Sequence, residues 1–163
     1  MRHTIVRDGI VAGLLGATAV ALWFLGLDMI YSRPLATPAA LGQGLLGVLG
    51  PQGSEGTATF VIVYTIFHVV AFIGVGLLVS GIIALSRREP SILAGALMLF
   101  VALEIGIYAI SSALRASPFL GSLGWAQVAI GNLIAAVVMG TYMWKTHPEL
   151  KRDLGFALGG RPT

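Results

Sequence analysis

Four long stretches of this chain hold no charged side chain, and nothing else in the sequence constrains its fold so tightly. Residues 9–27, 56–86, 90–103 and 116–144 contain no Asp, Glu, Lys or Arg, and after a lone Glu104 the third stretch resumes through residue 114. A helix of about 20 apolar residues crosses the ~30 Å hydrocarbon core of a bilayer. The expected fold is therefore all-α, a four-helix transmembrane bundle with spans at about 8–31, 57–86, 90–115 and 122–145. With 56% hydrophobic and 10% charged residues in a chain of 163, these spans and their connections form one bundle and leave no room for a soluble domain.

The few charges set the expected orientation. Arg2, Arg7, Arg87, Arg88, Lys145, Lys151, Arg152 and Arg161 fall on the side of the two termini, against Arg33 and Arg115 on the other. By the positive-inside rule both termini and the turn at 87–89 face the cytoplasm. The net charge of +3 is explained by these flanks, so no nucleic-acid partner is expected. The opening segment starts like a signal peptide, but its apolar run is longer than a typical h-region, and it is read as an uncleaved first span. There is no cysteine, which excludes disulfides, thiolate metal sites, covalent haem attachment and a thiol relay.

Between spans one and two, Thr37-Pro38 looks like a helix N-cap followed by Pro at the first helical position. Leu41, Leu45, Val48 and Leu49 then recur at helical spacing, so a short outer interfacial helix is expected at about 38–49. Residues 148–163 form a short cytoplasmic tail. All seven prolines fall in loops or at span ends, so the spans lack the interruptions from which secondary transporters commonly build their sites. Gly9, Gly13, Ala17 and Ala21, and likewise Gly131 and Ala135, repeat every four residues, a spacing that lets helix backbones approach closely in lipid.

Polar side chains within the spans mark the candidate site. His68, Glu104 and Asn132 each lie about eleven residues from the outer end of their span, or ~17 Å, which puts them in one layer near the midplane. Glu104, Tyr108, Ser111 and Arg115 share a stripe, as do Thr57, Val61, Tyr64 and His68, while Asp28 stands at the outer mouth with Tyr31 and Arg33. A charge at the bilayer centre costs roughly 2.5–3.5 kcal/mol on insertion scales, so Glu104 is expected to be neutral or paired, with His68 as its partner.

Two readings of this cluster stand side by side: a polar pocket open to the outside, serving a ligand or a proton relay, and a structural clasp fixing helix register. A cavity running from Asp28 and Arg115 down to His68 favours the first, and tight packing the second. One membrane His and one Glu are too few for a di-iron or bis-histidine haem site, and His68, Glu104 and Asp28 make a poor zinc set. No cofactor or metal is predicted. Haem or another pigment on His68, with Met98 or Met139 as a weaker ligand, remains an alternative.

The segments GIVAGLLGATAVALWFLGLD, RPLATPAALG, YTIFHVVAFIGVG and MLFVALEIGIYAI resemble those of small bacterial membrane proteins. The resemblance implies the bacterial inner (plasma) membrane and carries no activity or catalytic residue with it. The leading expectation is a non-enzymatic membrane subunit or amphipathic-ligand-binding module, within a homo-oligomer or a larger membrane complex. The alternative is a membrane enzyme or small transporter in which His68 and Glu104 transfer protons and Tyr64, Tyr108 and Arg115 position a substrate.

Overall fold

A computed structural model describes residues 2–49, 55–86 and 125–147, all of them helical apart from short connections. The helices are α1 (Arg2–Ile30), α2 (Ala36–Leu49), α3 (Thr57–Ser86) and α4 (Trp125–Thr146). The segments Ile5–Ile30, Thr57–Leu85 and Ala126–Thr146 are long and apolar enough to cross a bilayer, with mean hydropathies of 2.2, 2.5 and 1.5. Their outer surface is apolar too. Leu22, Leu78 and Leu133 expose 62%, 64% and 63% of their area, the reverse of a water-soluble bundle. The chain is a membrane protein. The expected span at 90–115 and the tail at 148–163 lie outside the described residues.

Helix α1 is the spine of the bundle, packed lengthwise against both α3 and α4, while α2 lies mainly on α3. Both long neighbours run antiparallel to α1. Along α3, Gly9 meets Leu77, Gly13 meets Ile73, and Ala17 meets His68; along α4, Asp8 meets Tyr142 and Gly16 meets Met139. The Gly9–Gly13 repeat is what permits the α1–α3 approach. A Cβ on Gly13 would stand 2.7 Å from the Cα of Ile73, and one on Gly76 would stand 2.7 Å from the backbone nitrogen of Gly13. At that separation backbone meets backbone, and only glycine fits on either side. Gly9, Gly13 and Ala17 of the α1 small-residue face are thus buried within the chain itself.

Lipid gives helices little hydrophobic reason to associate, so polar contacts between them matter more than in water. Three such bonds run from side chain to backbone. The Ser80 hydroxyl donates to Ile5 O (2.8 Å), a His68 ring nitrogen lies 3.1 Å from Ala17 O, and the Trp23 indole N–H donates to Gln127 O (3.0 Å). Ala12, Ile83, Met139 and Met143 form a buried core, flanked by Phe72, Val79 and Tyr142.

The connection from α1 to α2 is a tight turn held by backbone hydrogen bonds. Ser32 takes a left-handed φ of 54°, its N–H donates to Met29 O, and the Arg33 N–H reaches back to Asp28 O, the bond pattern of a Schellman C-cap. Helix α2 then begins at Ala36, so Thr37 lies in its first turn and Leu35 occupies the cap position instead. Leucine has no capping oxygen. The exposed amides of the first turn are met otherwise: Ala36 N–H donates to Arg33 O, Thr37 N–H donates to Asp28, and Pro38 has no N–H to satisfy.

Candidate functional site

Where α1, α2 and α3 diverge, they leave an open cleft of about 300 Å³. Eleven residues of α1 separate its Ala17 end from its Asp28 end, about 16 Å of helix rise. Leu14, Leu22, Leu25, Val61 and Val69 give it largely apolar walls, with Leu35 and Pro38 beside Asp28. Leu35 is held at φ 64°, a left-handed conformation that costs leucine about 1–2 kcal/mol. The surrounding turn holds this apolar side chain beside the cleft at that cost.

At one pole, Asp28 is buried to 6% exposure, and both of its oxygens are engaged. Oδ2 accepts the Thr37 N–H at 2.8 Å and Oδ1 accepts the Thr37 hydroxyl at 2.7 Å. The carboxylate therefore does the work of an N-cap for α2 from another helix, and its charge complements the positive end of the α2 dipole. This role depends on the fold of the α1–α2 turn, which a sequence pattern does not display.

At the other pole, α3 presents Tyr64, His68 and Phe72 one turn apart. The His68 ring packs against Phe72 (centroids 4.7 Å) and Tyr64 (5.5 Å). Its Nε2 lies 3.1 Å from Ala17 O, and since a carbonyl only accepts, Nε2 is the donor. In the neutral imidazole this makes Nδ1 an acceptor, directed toward the Tyr64 hydroxyl at 3.5 Å. That contact is long against the ~2.8 Å usual for hydroxyl bonds, so neither atom is well satisfied by the other. The other hydroxyls on the walls are already engaged: Thr18 donates to Leu14 O (2.8 Å) and Thr65 to Val61 O (2.7 Å). Local bonding of this kind is how Ser and Thr are satisfied within spans.

The sequence-derived candidates divide accordingly. His68, Tyr64 and Asp28 all line the one cleft. Asn132 lies half-buried on α4 and is not among the residues lining it. Glu104, Tyr108, Ser111 and Arg115 lie outside the described residues, as does Met98. Met139 is buried in the core beside Gly16 rather than in the cleft. Among the described residues, no group of three or more His, Asp or Glu side chains gathers as a metal site.

A second polar cluster was not foreseen. Asp8, 2% exposed, receives the Tyr142 hydroxyl at 3.4 Å, faces Arg7 at 3.4 Å, and makes an ion-pair contact with His147 Nε2 at 3.3 Å. It joins the N-terminal end of α1 to the C-terminal end of α4. One signal is in the sequence: Asp8, Ala12 and Gly16 repeat every four residues and form a second stripe on α1, beside the Gly9–Gly13 one and turned toward α4.

No family model, curated protein or solved structure matches the chain.

Proposed function

We propose that the protein is a four-span bacterial inner-membrane protein that binds an amphipathic, lipid-soluble ligand in the α1–α2–α3 cleft. It acts there as a binding subunit, in a homo-oligomer or a larger membrane assembly. The observation that carries this reading is the cleft itself, which runs between the Asp28 and His68 poles that the sequence singles out and is walled mainly by apolar side chains. Sites for small amphiphiles have this composition, concave and apolar with a few placed polar groups. A purely structural clasp at His68 needs no such opening.

The topology has its own support. Helices α3 and α4 both run antiparallel to α1, so α3 ends at the opposite end of the bundle from the start of α4. Residues 87–124 link those ends and include an apolar run with a single Glu104, which suits a further crossing. Arg7 and Lys145 then mark the cytoplasmic face, and α2 the outer one.

The test is native mass spectrometry of protein released gently from mild detergent, for wild type and Ala21→Trp. Ala21 lines the cleft and is exposed, so an indole there occupies the space while leaving the His68 and Asp28 side chains in place in the sequence. A bound amphiphile carried by wild type and lost in the variant is expected. A wild type that carries none, or a variant that retains it, rejects the reading.

A second reading has one observation in its favour, the juxtaposition of His68 Nδ1 and the Tyr64 hydroxyl within an open cleft, a pair able to relay a proton. It predicts proton flux in liposomes that is abolished by His68→Gln.

A further inference from the structure

The ligand class follows from which polar atoms of the cleft are already committed, an inference that rests on the cleft being a binding site. The two Asp28 oxygens accept from Thr37, the Thr37 hydroxyl donates to Asp28, and the Thr18 and Thr65 hydroxyls donate to carbonyls of their own helices. His68 Nε2 is held by Ala17 O. With those donors used, the uncommitted hydroxyl donor among the described residues lining the cleft is Tyr64 OH, which stands beside the ring acceptor His68 Nδ1, 3.5 Å away and poorly matched to it.

A hydroxyl and an imidazole nitrogen recognise a head group that donates one hydrogen bond and accepts one. An alcohol does both, and a carbonyl accepts from Tyr64. Neither atom carries a fixed charge. No Lys or Arg is among the described residues lining the cleft, so an anionic phosphate or carboxylate head would find no counter-ion among them in a largely apolar site. Among the described residues lining the cleft, a cationic head would find a carboxylate only at the far pole, in Asp28, where Thr37 bonds both oxygens. We infer that the cleft selects a neutral amphiphile with a hydroxyl or carbonyl head group, seated between Tyr64 and His68 with its apolar chain running toward Asp28.

The probes are dodecanol, dodecyl phosphate and dodecylamine, each carrying a photoactivatable diazirine on the chain, added to the full chain in lipid nanodiscs. Crosslinks are mapped to peptides and competed with the unlabelled compound. The alcohol is expected to label α1 and α3 residues of the cleft at least about tenfold more than either charged probe, which corresponds to ~1.4 kcal/mol of discrimination. Tyr64→Phe removes the hydroxyl but leaves the His68–Ala17 bond, so the variant folds and its labelling falls roughly fivefold, as loss of one hydrogen bond gives. Ala21→Trp abolishes labelling by all three. Preference for the phosphate or the amine, or a Tyr64→Phe variant that labels like wild type, overturns the assignment of the head group while leaving the cleft as a binding site. If none of the probes labels the cleft, the binding reading fails with it.

Discussion

His68 shows how a single side chain serves structure and site from opposite edges of one ring. Its Nε2 fastens α3 to the backbone of α1, and that bond turns Nδ1 toward the cleft. Among the described residues the Asp28 carboxylate is bonded by Thr37, and its contribution there is a cap. Replacing it by Ala leaves the Thr37 amide and hydroxyl without their acceptor, so Asp28→Ala should lower unfolding stability by about 1–2 kcal/mol. Chemical unfolding in mixed micelles measures this, and an unchanged midpoint would show that the cap is idle. Ser32 is exposed and held at φ 54°, where glycine is at no steric disadvantage. Ser32→Gly should therefore stabilise the protein by roughly 0.5–1 kcal/mol, whereas Ser32→Val should destabilise it by a similar amount or more. Equal midpoints for the two variants would contradict the strained turn.

Among the elements, the α1–α3 seam has the strictest geometry, and α3 carries its own control. A methyl on Gly76 meets the backbone of Gly13, while one on Gly74 meets nothing within 4 Å among the described residues. Gly76→Ala should cost on the order of 1–3 kcal/mol through backbone displacement. Gly74→Ala should be neutral or gain up to about 1 kcal/mol from helix propensity. Unfolding of the pair under one condition decides the point, and a Gly76→Ala variant as stable as Gly74→Ala would rule out the close crossing. The apolar helices were legible in the sequence because hydropathy accumulates along a segment whatever its neighbours are. The four-residue repeat from Gly9 likewise announced a close-packing face. The phase of α3 was only half legible. The reading through Thr57, Val61, Tyr64 and His68 caught the two site residues, but the face that packs continues through Phe72, Gly76 and Ser80 toward α1. Two stripes one residue apart differ by about 100° on the helix, and only the partner shows which is buried.

At the scale of the whole molecule, antiparallel packing brings together residues that the sequence holds far apart. Asp8 and His147 meet because α1 and α4 run in opposite directions, and no local pattern signals a pair 139 positions apart. A separation of 104 positions likewise hid Trp23 and Gln127, whose bond ties that indole into helix packing. Asp8→Ala removes the buried carboxylate that the Tyr142 hydroxyl bonds and His147 faces, so it should cost about 1–3 kcal/mol. A double-mutant cycle with His147→Ala, read by thermal unfolding, should show coupling between the two. Strictly additive losses would mean that they do not act as one clasp. Orientation is testable on a clean background, since the chain has no cysteine. Arg7→Cys and Lys145→Cys should react with a membrane-impermeant maleimide only from the cytoplasmic side, and Ser32→Cys only from outside. Labelling of all three from one side would break the topology.

The most direct test of the binding cleft is the ¹⁵N spectrum of the histidine-labelled protein in nanodiscs, recorded with and without dodecanol, with His68 assigned by its loss in His68→Gln. The expected result is a His68 Nε2 signal that stays bonded to Ala17 and an Nδ1 signal that shifts on adding the alcohol, with no such shift in Ala21→Trp. An Nδ1 signal that dodecanol leaves unmoved, or that moves equally in the filled variant, would contradict the cleft as a binding site and leave His68 as a structural clasp alone.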